Sequence, residues 1–449
     1  MSDQGKLHRV EKGMSRRQFI GTSAAAAIGF GLKIQGRSFG VQNAPSLSKL
    51  KIKEYRTLGR TGVKVSDIGF GSGENTDVSL VEAVLDTGIN YIDTAENYVR
   101  GQVERTIGKA VKNRNRKSVF ITTKLALLKD VTKDGFIARA RKCLERLETD
   151  YIDCLMIHAP ETVEQLKNVG FHAAIKELKA EGRVKFCGVS NHGAQWQEVR
   201  ETMEKVLLAA ADDGRFDVMI FVYNFLQKDM SEKILKACKE KNIGAAIMKA
   251  NPVGNYLEFE EEAEKTKKEG KEVPDFLKNL VARLKVAAEK AEGFKRQYNL
   301  TDNNEVRDAA YRFVLKNPYV NTVCCSIKNY SDLEAFVTLS GTKLKAEDQK
   351  KLNAYAETFG QFYCRYGCGR CESQCPKRVP VNKILRYNHY FKSQGREKFA
   401  ISQYAKLENR KADKCQSCDG FCESVCPYGV PVQGLLYLAH QTLELMQTH

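Results

Sequence analysis

Eight cysteines near the C-terminus carry the densest chemistry in this chain. Cys364, Cys368, Cys371 and Cys375 form one run, closed by Pro376, and Cys415, Cys418, Cys422 and Cys426 form a second, closed by Pro427. The patterns are C-x3-C-x2-C-x3-C-P and C-x2-C-x3-C-x3-C-P. Three thiolates on one short loop can hold three irons of a cubane, and in runs of this kind the fourth ligates the other cluster. The spacing therefore predicts two [4Fe–4S] clusters with exchanged ligands: Cys364, Cys368, Cys371 and Cys426 on one, Cys415, Cys418, Cys422 and Cys375 on the other. Zinc uses four ligands per site, usually from two separated C-x2-C knuckles, and fits these runs poorly. Disulfides would close small strained loops.

Both runs resemble the ferredoxin-type iron–sulfur families. The spacer between them has helical periodicity (Ile384, Leu385, Tyr387), which predicts a mostly helical ferredoxin-like domain rather than a compact β-hairpin one.

A second group of polar residues needs a scaffold to bring it together. From about residue 55 onward, short β-branched runs alternate with amphipathic stretches. Strands are expected at 65–70, 91–93, 119–123, 151–157, 184–190, 218–222, 243–248 and 320–325. Eight strand–helix units in this length predict an α/β fold of the (β/α)8 TIM-barrel class, whose chemistry sits at the C-terminal ends of the strands. A doubly wound sheet would want a glycine-rich fingerprint after its first strand, and Gly69, Gly71 and Gly73 make only a weak one. Asp93, Lys124, His158 and the pair Ser190-Asn191 fall at strand ends, and Tyr98 follows Asp93 closely.

These motifs resemble the aldo/keto reductase family: the stretch from Ile89 to Tyr98 with Glu104 after it, Thr122-Thr123-Lys124, the stretch from Tyr151 to His158, and Gly188-Val189-Ser190-Asn191. The resemblance implies reduction of a carbonyl or oxidation of an alcohol on a small substrate. Tyr98 would be the general acid, Lys124 would lower its pKa, Asp93 would hold Lys124, and His158 would orient the carbonyl oxygen. It also implies a nicotinamide site at Ser190 and Asn191, with Lys249, Ser326 and Lys328 meeting the phosphates of NADP(H). The chain departs from the family here. Ile220 stands where a glutamine would bond the carboxamide, and the segment after strand eight lacks the usual glycine-bearing turn. FMN is the alternative occupant, because hydride moves two electrons while an iron–sulfur cluster takes one.

The N-terminus reads as an address. Arg16-Arg17, with Phe19 after them and an apolar stretch at 21–32, resemble the twin-arginine export signal. The apolar stretch is shorter than the roughly 20 residues a membrane span needs. No convincing small-x-small cleavage site follows it, so the segment is expected either to stay as an anchor or to be cut elsewhere. Export of an already folded chain suits clusters built before transport, which makes the expected location periplasmic.

The chain has 449 residues and a net charge of +17, enough for two or three domains. Its lysines and arginines are dispersed and no nucleic-acid motif is present, so no nucleic-acid partner is expected. The expected domains are a signal and linker at 1–54, a barrel at 55–345 and an iron–sulfur domain at 346–449. A charged insertion at 257–299 reads as a solvated helical excursion or as a docking face for the iron–sulfur domain. The whole predicts an exported oxidoreductase whose clusters pass electrons to a redox protein or a quinone-linked membrane component. The alternative is an electron-transfer or binding subunit with a degenerate barrel.

Overall fold

The computed structural model describes residues 49–193, 201–254, 273–298 and 303–444. The twin-arginine segment and the first part of the charged insertion lie outside the described residues. A hairpin of β1 (Tyr55–Thr57) and β2 (Lys64–Ser66) comes first. Its Leu58 and Val65 join Tyr91, Phe120, Cys154, Met156, Val218, Ile220 and Ala246 in an apolar layer inside the barrel. Gly59 makes this approach possible: at φ +48° an added Cβ would lie 2.3 Å from the backbone nitrogen of Gly244.

Eight parallel strands follow: β3 (Ile68–Gly71), β4 (Tyr91–Asp93), β5 (Phe120–Ala126), β6 (Ile152–His158), β7 (Val184–Asn191), β8 (Val218–Val222), β9 (Gly244–Met248) and β10 (Thr322–Cys325). They close in the order β10-β3-β4-β5-β6-β7-β8-β9, a complete barrel. The first expected strand, 65–70, is in fact two. Asp67 breaks it by turning inward, where its carboxylate accepts bonds from Ser340 Oγ (2.7 Å) and Gly341 N (2.8 Å).

Helices α1 (Val78–Asp86), α2 (Gln102–Val111), α3 (Lys133–Arg146), α4 (Val169–Ala180), α5 (Met203–Asp213) and α6 (Lys228–Glu240) lie between the strands. Asp77, Thr132, Asn168 and Thr202 cap α1, α3, α4 and α5 by accepting a backbone N–H three residues on. Such caps fix where each helix starts and hence where each strand ends. Glu104 on α2 is fully buried and ties the layer to the barrel, accepting from Arg146 Nε (2.6 Å) and Thr123 Oγ1 (2.6 Å). Replacing Glu104 by Ala strands the Arg146 guanidinium, and a urea melt should show a loss of about 3–5 kcal/mol.

Where it is described, the charged insertion is not a solvated excursion. Its described part is α7 (Asp275–Tyr298), which buries Leu277, Leu280, Leu284, Ala287, Ala291 and Phe294. Phe276 meets Tyr437 edge-on at 5.8 Å and Arg283 donates to Gly429 O at 2.8 Å, so this helix is a docking face for the C-terminal residues. Helices α8 (Asn304–Lys316) and α9 (Tyr330–Leu339) complete the barrel layer. Helix α10 (Ala346–Phe359) packs on α7 and α8, and the rest of the expected C-terminal domain follows it. That domain contains α11 (Val381–Gln394), α12 (Glu397–Ala405) and α13 (Val432–Glu444), and no strand among the described residues. It repeats internally. Cys375-Pro376 leads through Val379-Pro380 into α11, and Cys426-Pro427 leads through Val430-Pro431 into α13.

Candidate functional site

The four residues expected to act together do meet. Asp93 ends β4, Lys124 lies on β5 and His158 ends β6, so three neighbouring strands deliver them to one end of the barrel. Lys124 Nζ sits 2.7 Å from Asp93 Oδ1 and donates to Thr94 O at 2.6 Å. Tyr98 arrives from the loop after β4. Its ring centre is 5.2 Å from Lys124 Nζ and 6.1 Å from the His158 ring, which it meets edge-on. The loop holding it is strained: Val99 (φ 45°) and Arg100 (φ 55°) are left-handed, a costly conformation for a β-branched valine. Ala159 (φ 53°), directly after His158, and Lys249 (φ 56°), directly after β9, are left-handed as well. Strain of this kind collects where function dictates the backbone.

Lys124 lowers the Tyr98 phenol as expected, but burial outweighs it. Burial raises the Tyr98 phenol above its ordinary value, and Lys124 only opposes this in part. Tyr98 is therefore protonated in the neutral range, the form that can donate to a carbonyl oxygen. Lys124 resists its own burial because Asp93 and Tyr98 hold its ammonium charged. Burial, then Lys124, pushes the His158 imidazole down to about 3, so it is neutral. Between pH 6.5 and 3 the unfolded chain binds a proton at this residue that the folded chain refuses. Stability should therefore fall on acidification through that window, by up to about 1.4 kcal/mol per pH unit. Urea midpoints at pH 7.5 and pH 5 measure this, and the His158 part of the slope should vanish in His158→Gln.

The expected nucleotide residues divide. Ser190 lies next to the end of β7 with its hydroxyl buried and, among the described residues, without a partner, as is His158 Nδ1. A buried polar atom of this sort awaits a ligand or water. Asn191 is already engaged, donating to Pro160 O (2.7 Å) and accepting from Gly193 N (2.8 Å). Ser326 is exposed. Lys249 and Lys328 are bonded instead to α11: Lys249 Nζ donates to Tyr390 Oη at 2.7 Å and Lys328 Nζ to Gln394 O at 2.6 Å. Ser190 thus keeps an unpartnered hydroxyl at the barrel end, while Lys249 and Lys328 are already engaged by α11.

Residues 69–357 match the Aldo/keto reductase family. The chain belongs to the aldo/keto reductase family. It is 26% identical over 328 residues to aldo-keto reductase YhdN of Bacillus subtilis (strain 168), a match spanning 68% of this chain and 94% of that protein. It is 28% identical over 275 residues to L-galactose dehydrogenase of Arabidopsis thaliana, spanning 56% and 82%. Among solved structures it is similar to aldo-keto reductase AKR11C1 from Bacillus halodurans in its holo form, with a TM-score of 0.49, 22% identity, and 67% and 95% of the two chains covered. The protein is therefore an oxidoreductase, and enzymes of this family typically use NADP(H) and act on small carbonyl compounds.

This aldo/keto reductase differs from a bare barrel in what covers its mouth. Tyr390 on α11 meets Lys249, and Arg396 lies 5.0 Å above the Tyr390 ring while pairing with Glu74 beyond β3. Arg386 donates to His192 O at 3.1 Å. The cysteine loop docks through backbone. Gln227 holds both sides of the Tyr366 peptide, accepting from its N and donating to its O, each at 2.7 Å. Gly193 and Gly367 touch, since a Cβ on Gly193 would lie 2.8 Å from Gly367 N.

The eight cysteines sort by space rather than by run. One small cavity is walled by Cys364, Cys368, Cys371 and Cys426, and another by Cys375, Cys415, Cys418 and Cys422. All eight are free thiols. Asn382 Nδ2 donates to Cys364 Sγ at 3.3 Å and Val379 N to Cys375 Sγ at 3.3 Å. Asn382 and Gln433 play matching parts. Each donates its backbone N–H to a glutamate beside a cysteine, Glu372 or Glu423, and its side-chain amide to carbonyls of the cysteine loop. Among the described residues no three His, Cys, Asp or Glu side chains converge closely enough to hold one metal ion.

Proposed function

We propose that this chain is an exported iron–sulfur aldo/keto reductase, in which carbonyl or alcohol chemistry in the barrel is coupled to electron transfer through two [4Fe–4S] clusters. The observation that carries it is the sorting of eight free cysteines into two four-thiol cavities, with the last cysteine of each run crossing to the other cavity. That donor set suits cubanes, whose chemistry is one-electron storage. Cys364, Cys368, Cys371 and Cys426 would hold one cluster and Cys375, Cys415, Cys418 and Cys422 the other. Support for export comes from Arg16-Arg17 and the apolar stretch after them, and a reporter fused to residues 1–54 tests it.

The barrel residues handle the proton. Neutral Tyr98 donates to the carbonyl oxygen, and the phenolate left behind lies beside the Lys124 ammonium, which Asp93 fixes in place. Neutral His158 orients the same oxygen. In alcohol oxidation the proton returns to Tyr98 along the same line. Lys124→Met should cost activity and stability together, because it leaves Asp93 buried without its cation; about 3–5 kcal/mol is expected in a thermal or urea melt.

The test is to add small hydroxy compounds, with a catalytic amount of FMN to take the hydride and pass its two electrons on singly, to the oxygen-free full-length protein and follow its visible iron–sulfur absorbance. A substrate should bleach it, and Tyr98→Phe should slow the bleaching while dithionite still reduces both proteins equally. Bleaching at an unchanged rate in Tyr98→Phe would refute the coupling.

A further inference from the structure

The two halves of the helical domain repeat each other, yet one pair of matching residues differs in what it touches. Asn382 and Gln433 each stand seven residues after the last cysteine of a run, as the second residue of α11 and of α13. Gln433 directs its amide hydrogens to two carbonyls, Cys415 O at 2.8 Å and Cys418 O at 2.6 Å. Asn382, shorter by one methylene, donates to Arg365 O at 2.7 Å and to Cys364 Sγ at 3.3 Å. Its neighbours fix the orientation of the amide. Oδ1 accepts from Gly367 N at 3.1 Å, and a flipped amide would set oxygen against the Arg365 carbonyl. Asn382 is buried, so water competes little for these bonds. The second cavity has a sulfur bond of its own, from Val379 N to Cys375 Sγ, but that donor is backbone. Among the described residues, Asn382 is thus the one side chain that gives an N–H to a cysteine sulfur of either cavity.

An N–H aimed at a thiolate sulfur stabilises negative charge there, and hydrogen bonds to the sulfurs are among the features that set a cluster's potential. A reduced cluster carries one more negative charge than an oxidised one, so such a bond favours the reduced form. We propose that Asn382 raises the reduction potential of the first cluster, the one that Cys364, Cys368, Cys371 and Cys426 would hold, while the second cluster depends on a backbone donor. The proposal rests on the cluster reading above. Its place in the fold ties Asn382 to the barrel chemistry. A Cβ on Gly193 would lie 3.2 Å from Asn382 Oδ1, and Gly193 N is bonded to Asn191 at the end of β7. The cluster that Asn382 favours is therefore the one beside the barrel end. Reduction adds one electron to the oxidised cluster, from dithionite in the test, and no bond is made or broken.

The experiment uses the full chain purified without oxygen, with iron and acid-labile sulfide measured first. Stepwise titration with dithionite, followed by electron paramagnetic resonance, gives the two midpoint potentials. Asn382→Leu should lower one of them by about 59 mV or more, a tenfold change in that one-electron equilibrium, and leave the other in place. Asn382→Asp keeps the acceptor for Gly367 N, removes the donor to sulfur and adds negative charge, so it should lower the same midpoint further. The midpoint that moves should be the one missing from Cys426→Ala. Gln433→Leu loosens the matching loop without touching a sulfur bond, and both midpoints should stay. Unchanged midpoints in Asn382→Leu and Asn382→Asp at full iron content would overturn the proposal. So would an equal shift in Gln433→Leu, which would show that loop order, not the bond to sulfur, sets the potential. A parent protein without iron and sulfide would remove the cluster reading itself, and the proposal with it.

Discussion

Replacing Cys426 by Ala exposes three cysteines of the other run. Cys426 follows Cys422 in sequence, yet it walls the cavity of Cys364, Cys368 and Cys371. The variant should lose about half the iron and sulfide of the parent protein, because each cubane carries four irons. Alkylation followed by peptide mapping locates the loss. Cys364, Cys368 and Cys371 should become reactive, while Cys375, Cys415, Cys418 and Cys422 stay protected. The opposite pattern, with Cys415, Cys418 and Cys422 exposed, would mean that each run keeps its own four ligands. Cys375→Ala should give the mirror result.

Tyr98→Phe is expected to lower the rate of carbonyl reduction by about 10²–10⁴-fold, the usual worth of a positioned general acid. Substrate affinity should change little, since the ring and its contacts with Lys124 and His158 remain. Burial holds the phenol above its ordinary value, so the parent activity should stay level through the neutral range and fall only at strongly alkaline pH. His158 adds no acid limb near pH 6, because its imidazole is already neutral there. A limb near pH 6 that disappears in His158→Gln would show that a charged imidazole takes part. Steady-state rates across pH 5–10 decide between these outcomes.

Much of this arrangement was legible before any coordinates. Asp93, Lys124 and His158 stand at strand ends because the strands alternate strictly enough to be counted, and a barrel sends its strand ends to one place. The three-residue step and the proline after it led to the expectation that Cys375 and Cys426 cross over, and each lines the cavity of the other run. Asp67 was not legible as a strand breaker, since its partners, Ser340 and Gly341, come from the far end of the barrel. The largest miss was the cover over the mouth. Lys249 and Lys328 looked like phosphate ligands because local sequence says nothing about Tyr390 or Gln394. A signal was present in α11 itself. Its residues from Val381 to Asn388 are all buried, although Asn382, Lys383, Arg386 and Asn388 are polar. By periodicity the polar residues of this amphipathic helix read as its solvent face, and only the partners on both sides reveal otherwise.

The helical insertion teaches the same lesson from the other side. Leu280 and Leu284 gave α7 its apolar stripe, but the stripe could not say what it would meet. Gly434 on α13 supplies the answer: a Cβ there would lie 2.9 Å from Leu280 Cδ2. Gly434→Val should loosen the docking of the helical domain while leaving the barrel folded, and limited proteolysis would show cleavage concentrating after Phe359.

The most direct measurement is a native mass spectrum of the full-length protein purified without oxygen. The account predicts a mass exceeding the polypeptide by two [4Fe–4S] clusters, with half of that excess lost in Cys426→Ala. A mass equal to the polypeptide with zinc, or with the cysteines joined as disulfides, would contradict it.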